Sequence, residues 1–149
     1  MSKAVIIYYS EHRNNTKKVL EAIKEQCQVG LVPIQEVDTI NLADYERIGF
    51  ASGIYHAKFA PGLYKYIESH KDELKGKETF LVATGGGGNN QKVFDAFGEL
   101  LKEAQATVLG SYYCNGWDCY GPFKLMGGIH KKHPDEKDCK EAVSFYKGL

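Results

Sequence analysis

The chain opens with a buried-strand pattern that runs directly into a polar loop and a helix start, and this joint constrains its fold more than any other feature. The run Ala4 to Val19 reads Ala-Val-Ile-Ile-Tyr-Tyr-Ser-Glu-His-Arg-Asn-Asn-Thr-Lys-Lys-Val. Residues 3–9 are almost continuously apolar and rich in β-branched and aromatic types, which suits a strand covered on both faces. Thr16, Val19, Leu20, Ile23 and Cys27 then recur at helical spacing, so a helix packs back on that strand. The first N–H groups of a helix lack internal partners and carry the positive end of its dipole, so an anion fits at the joint. Ser10, Asn14, Asn15 and Thr16 add polar side chains there, and His12 and Arg13 stand beside them.

The alternation continues. Residues 31–37 read as a second strand, and Pro33, which cannot donate to a ladder, places it at a sheet edge. Asn41 to Glu46 offers a short helix, and Arg47 to Ala51 a third strand. Leu63, Tyr66, Ile67 and His70 share a helical face. Thr79 to Ala83 is a fourth strand, running into Thr84 and four glycines. Val93, Phe97, Leu100, Leu101 and Ala104 mark the clearest amphipathic helix, and Thr107 to Tyr113 a fifth strand. Pro134 can open a last helix with Cys139, Ala142, Val143 and Tyr146 inward. Strands alternating with helices imply an α/β fold: three layers, doubly wound around a five-stranded parallel sheet. An edge second strand fits the order 2-1-3-4-5, in one domain spanning residues 1–149. In such a sheet a ligand lies at the carboxyl ends of the strands, between strands one and three, where the winding reverses. The loops that meet there, Ser10–Thr16, Ser52–Lys58 and Thr84–Asn90, are also the richest in Gly, Ser, Thr and Asn.

Several chemistries are excluded by the residues themselves. Lys+Arg and Asp+Glu number 19 each, so no net field draws the chain to nucleic acid or a membrane surface. The Met-Ser-Lys-Ala start has no signal-peptide pattern and no apolar stretch approaches the roughly 18 residues of a membrane helix, so the expectation is a cytoplasmic chain with reduced cysteines. The first loop lacks the lysine and glycines of a Walker loop and the glycine triplet of a dinucleotide turn. Strands one and three end in Tyr9-Ser10 and Ala51-Ser52, without the carboxylates of a phosphorylatable receiver. No cysteine replaces Ser10, as a Cys-x5-Arg phosphatase would need, and Ser52 lacks the glycines of a hydrolase elbow. Cys114, Cys119, His130 and His133 are spaced too closely for a zinc finger, so no metal is expected. What remains is a phosphate cradle with two small-residue loops carrying Tyr55, which suits a mononucleotide with a flat ring.

Ser10-x-x-x-Asn14-Asn15-Thr16 resembles the phosphate loop of the flavodoxin family with one extra residue, Asn14 standing where glycine is usual. Gly49-Phe50-Ala51-Ser52-Gly53-Ile54-Tyr55 is similar to the second flavin loop of that family, and the run after Thr84 to its third. Cys114-Asn115-Gly116-Trp117-Asp118 and Gly127-Gly128-Ile129 with His133-Pro134 resemble a subgroup of short members. The resemblance implies flavin mononucleotide (FMN), bound without a covalent link. Its phosphate would be held by Ser10, His12, Arg13, Asn14, Asn15 and Thr16. Its ring would be bracketed by Ser52, Gly53, Ile54 and Tyr55 and by Thr84, Gly85, Gly86, Gly87 and Gly88, with Trp117 a second ring contact. Gly53 is the candidate for a peptide that turns its carbonyl toward flavin N5. The implied function is electron transfer between redox proteins, such as a ferredoxin-type reductase. The alternative is an FMN-dependent reductase or oxidase of a small molecule such as a quinone. The neutral charge departs from the acidity usual in flavodoxins, which speeds docking to basic partners.

Overall fold

The computed structural model describes residues 3–9, 15–54, 58–85, 91–115 and 136–149. In chain order these form β1 (Ala4–Tyr9), α1 (Asn15–Gln26), β2 (Val29–Pro33), two 3-10 turns (Ile34–Thr39 and Leu42–Asp44), β3 (Arg47–Gly53), α2 (Pro61–Ser69), α3 (Lys71–Leu74), β4 (Glu78–Gly85), α4 (Gln91–Glu103), β5 (Thr107–Asn115) and α5 (Glu136–Lys147). The five strands make one sheet in the order β2-β1-β3-β4-β5, all neighbours parallel. The order read from the sequence is therefore the order found.

Alternation along the strands builds two cores. Val5, Ile7, Ile48, Phe50, Leu81 and Ala83 face α2 and α4, against Leu63, Ile67, Phe97 and Leu101. Ala4, Ile6, Tyr8, Phe80 and Val82 face the other way, against Val19, Leu20 and Ile23 of α1 and Ala142 of α5. Helices α1 and α5 also pack on each other. Each layer hides apolar surface from water, the main favourable term in folding.

Several strand boundaries differ from the sequence reading. The second strand stops at Pro33 instead of reaching residue 37, and Ile34, Val37 and Ile40 turn inward from a 3-10 stretch. Their spacing of three matches that helix better than the two-residue period of a strand. Strands β3 and β4 run past their expected ends, so Ser52, Gly53, Thr84 and Gly85 belong to the sheet and not to loops. Helix α5 is described from Glu136 onward; its expected opening at Pro134 lies outside the described residues.

Two glycines are spoken for by packing. The Phe80 ring lies across Gly49, and a Cβ there would come within 2.4 Å of it. Gly49 therefore serves the α1–α5 core and not the second loop. In β5 three residues span what β4 covers in two, from Thr79–Val108 to Leu81–Ser111. This bulge brings Gly110 against Phe145, whose ring would lie 3.3 Å from an added Cβ.

Candidate functional site

The carboxyl rim of the sheet gathers those residues singled out above that are described. Register pairs Tyr9 with Ser52, Gly53 with Thr84 and Gly85 with Asn115, so β1, β3, β4 and β5 end at one level. The amino rim differs in character. There Arg47 of β3 pairs with Glu78 of β4 at 3.2 Å, and Lys77 donates to the Tyr45 carbonyl at 2.6 Å. Charges close that end, while hydroxyls and glycines line the other.

Thr16 occupies the first turn of α1, and its Oγ1 lies 2.7 Å from Oγ1 of Thr84 at the end of β4. The two residues are 1% and 2% exposed. Two hydroxyls own two protons, and their mutual bond uses one. Among the described residues no acceptor takes the other. A buried O–H without an acceptor costs of the order of 1–3 kcal/mol. An anion at the start of α1 would supply that acceptor where the helix dipole already favours negative charge. The residues present therefore fit a phosphate.

Ser52 is fully buried, and its hydroxyl is occupied within the protein. It donates to the Gly53 carbonyl at 2.6 Å and accepts from the Ala60 N–H at 3.1 Å. The chain leaves β3 after Gly53 and is brought back at Ala60 by this one side chain. Phe59 secures the return: its N–H donates to the Tyr64 hydroxyl at 3.1 Å, and its ring packs on Phe97 with centroids 4.8 Å apart. Ser52 thus closes the root of the second loop.

The Gly53–Ile54 peptide is held at both of its polar atoms. Its carbonyl accepts from Ser52, and its N–H donates to the Thr84 carbonyl at 2.9 Å. Turning it over would break both bonds, so the mobile role foreseen for Gly53 meets a tethered peptide. Gly85 lies between Ile54 and Tyr113. A Cβ there would sit 3.6 Å from Ile54 and 3.4 Å from the Tyr113 ring, and its φ is not positive. Neither packing nor backbone among the described residues demands a glycine at that position.

The sheet thus brings together Thr16, Ser52, Gly53, Ile54, Thr84 and Gly85, with Asn15 at the first position of α1. Ser10, His12, Arg13, Asn14, Tyr55, Gly86, Gly87, Gly88 and Trp117 lie outside the described residues. So do Cys119, His130 and His133; among the described residues no cluster of His, Cys, Asp or Glu could hold a metal. Sequence reading missed Ala60, Tyr64 and Tyr113 as supports of the rim. Pro61 at the first position of α2 was a usable signal that the second loop ends at Ala60.

A parallel 2-1-3-4-5 sheet whose carboxyl rim carries Thr16, Ser52, Gly53, Thr84 and Gly85 defines a flavodoxin-like protein. Residues 5–110 match the family model for the flavodoxin domain. The chain is also 34% identical to an uncharacterized protein of Methanocaldococcus jannaschii, over 99% of this chain and 97% of that one. The chain belongs to the flavodoxin family. Among solved structures, a flavodoxin from the domain Archaea superposes with TM-score 0.67 at 17% identity, covering 98% of this chain and 97% of that one. A flavoprotein of Lactobacillus acidophilus in complex with FMN superposes with TM-score 0.63 at 18% identity, over 76% and 93% of the two chains. At such identities the likeness is one of fold.

Proposed function

We propose that the chain binds FMN without a covalent link at the carboxyl rim and carries electrons between redox proteins. The observation that supports this most is the buried Thr16–Thr84 hydroxyl pair, with its one unplaced proton at the start of α1. The phosphate would accept a hydrogen bond from that hydroxyl pair and would sit at the positive end of the helix dipole. Ser10, His12, Arg13, Asn14 and Asn15 precede or open the same helix and would complete the cradle. Ile54, Tyr55 and Gly85 to Gly88 would bracket the ring, with Trp117 reaching it from the segment after β5. FMN supplies one- and two-electron chemistry when bound; the protein supplies position and electrostatics. Ile54 and Tyr113, on either side of Gly85, present apolar surface that would keep water from that approach.

The carrier reading draws support from how the 149 residues are spent, since the described helices cover the two faces of the sheet. Titrating the purified protein with FMN tests the binding. Flavin fluorescence should be quenched to saturation at one equivalent, with submicromolar affinity; fluorescence that stays unchanged would overturn the reading. Stopped-flow mixing then separates the two roles. A carrier exchanges electrons rapidly with a ferredoxin-type reductase and is inert to NAD(P)H. Direct oxidation of NAD(P)H with quinone turnover would make it a reductase.

A further inference from the structure

Thr84 stands at the end of β4, where the third loop leaves the sheet, and its place in sequence allots it to the flavin ring. Its contacts lead elsewhere. The hydroxyl is 2% exposed and bonded at 2.7 Å to Thr16 in the first turn of α1. The backbone carbonyl of the same residue accepts the Ile54 N–H at 2.9 Å, at the root of the second loop. One residue therefore ties the start of α1 to the strand that bears the ring loop, across 68 positions of sequence on its side-chain arm.

We infer that Thr84 is a positioning residue for the phosphate and sets the preference of this site for a phosphorylated flavin over an unphosphorylated one. The inference rests on the FMN reading and refines it. The reasoning is the direction of one hydrogen bond. Either hydroxyl can donate to the other. With an anion at the start of α1, the favoured arrangement has Thr84 donating to Thr16 and Thr16 donating to the anion. A hydroxyl that accepts one hydrogen bond becomes a better donor in the next. Thr84 thus fixes the Thr16 rotamer and polarises its proton, without touching the ligand. Valine at the same position keeps the branched shape, the β4 pairing and the carbonyl that holds Ile54, and loses only the hydroxyl.

The test compares FMN with riboflavin, which has the ring and no phosphate, by fluorescence quenching of the full-length protein. Thr84→Val should lower FMN affinity about tenfold, the upper end of what one neutral hydrogen bond contributes. Riboflavin affinity should be unchanged. Thr84→Ser should restore FMN binding to within about twofold. Thr84→Ala repeats the measurement if the valine variant does not fold. Equal losses for FMN and riboflavin would make Thr84 merely structural and overturn the inference. Unchanged FMN affinity in Thr84→Val would overturn it as well, while leaving FMN binding by the parent protein intact. A parent protein that binds neither flavin would remove the FMN reading first, and this inference with it.

Discussion

Single residues at the rim divide into those facing outward and those spent on structure, and residue type alone does not separate them. Thr16 was legible because a hydroxyl residue in the first turn after a buried strand has few other uses. Ser52 was not. In sequence it is a small polar residue ahead of a glycine, and the bond it accepts depends on where the chain returns at Ala60. Ser52→Ala removes the bridge and leaves the buried Ala60 N–H without its acceptor. The expected loss is about 1–3 kcal/mol of folding stability, read from urea unfolding with an unchanged slope. A loss within the few tenths typical of surface changes would show that the bridge adds nothing to stability. Gly49 teaches the same lesson in reverse. Its position in a motif pointed to the flavin, and its reason for being glycine is the Phe80 ring on the far face of the sheet.

Among elements, type and order were readable and ends were not. Long apolar or amphipathic stretches reveal themselves by period, whereas a strand that turns into a 3-10 stretch after Pro33 keeps its apolar residues and changes only their spacing. Helix α4 ends in a geometry that no composition rule flagged. Gln105 N–H donates to the Lys102 carbonyl and Ala106 N–H to the Leu101 carbonyl, the two bonds of a Schellman cap. The cap requires a left-handed residue, and Gln105 supplies it at φ 62°. Its carbonyl in turn accepts the N–H of Gly76, the neighbouring left-handed corner at φ 80°. Glycine takes this conformation without the Cβ clash that glutamine bears. Gln105→Gly should therefore stabilise the protein by about 1 kcal/mol, seen as a higher urea midpoint. A lower midpoint would show that the glutamine side chain contributes more than its strain costs.

For the molecule as a whole, the doubly wound topology followed from alternation and from the edge position of Pro33, because parallel strands leave few other ways to connect. The alkaline response belongs to this scale as well. Burial, first of all causes, raises the phenol pKa of Tyr8, Tyr66, Tyr112 and Tyr146. Glu21 and Glu36 add to it at Tyr8, Glu73 and Asp38 at Tyr66, and Cys114 and nearby acidic groups at Tyr112; Arg47 offsets part of it at Tyr146. A raised native pKa means the folded chain holds these protons after the unfolded chain has released them. The stability they contribute is complete below the ordinary tyrosine value of about 10 and is lost as pH climbs beyond it. Urea midpoints should hold steady from about pH 7 to 9 and fall above about 10, and Tyr66→Phe should lessen the fall. A midpoint that does not move between about pH 9 and 11 would contradict this account.

The contact between α1 and α5 has a consequence for synthesis on the ribosome. Helix α1 is made before α5, yet one of its flanks is covered by that later helix, with the Cys139 thiol reaching the Lys18 carbonyl across 121 positions of sequence. Until α5 clears the exit tunnel, the nascent chain carries a greasy strip beside α1. During that interval chaperones have something to hold, and the cradle proposed at the head of the same helix lacks its full backing.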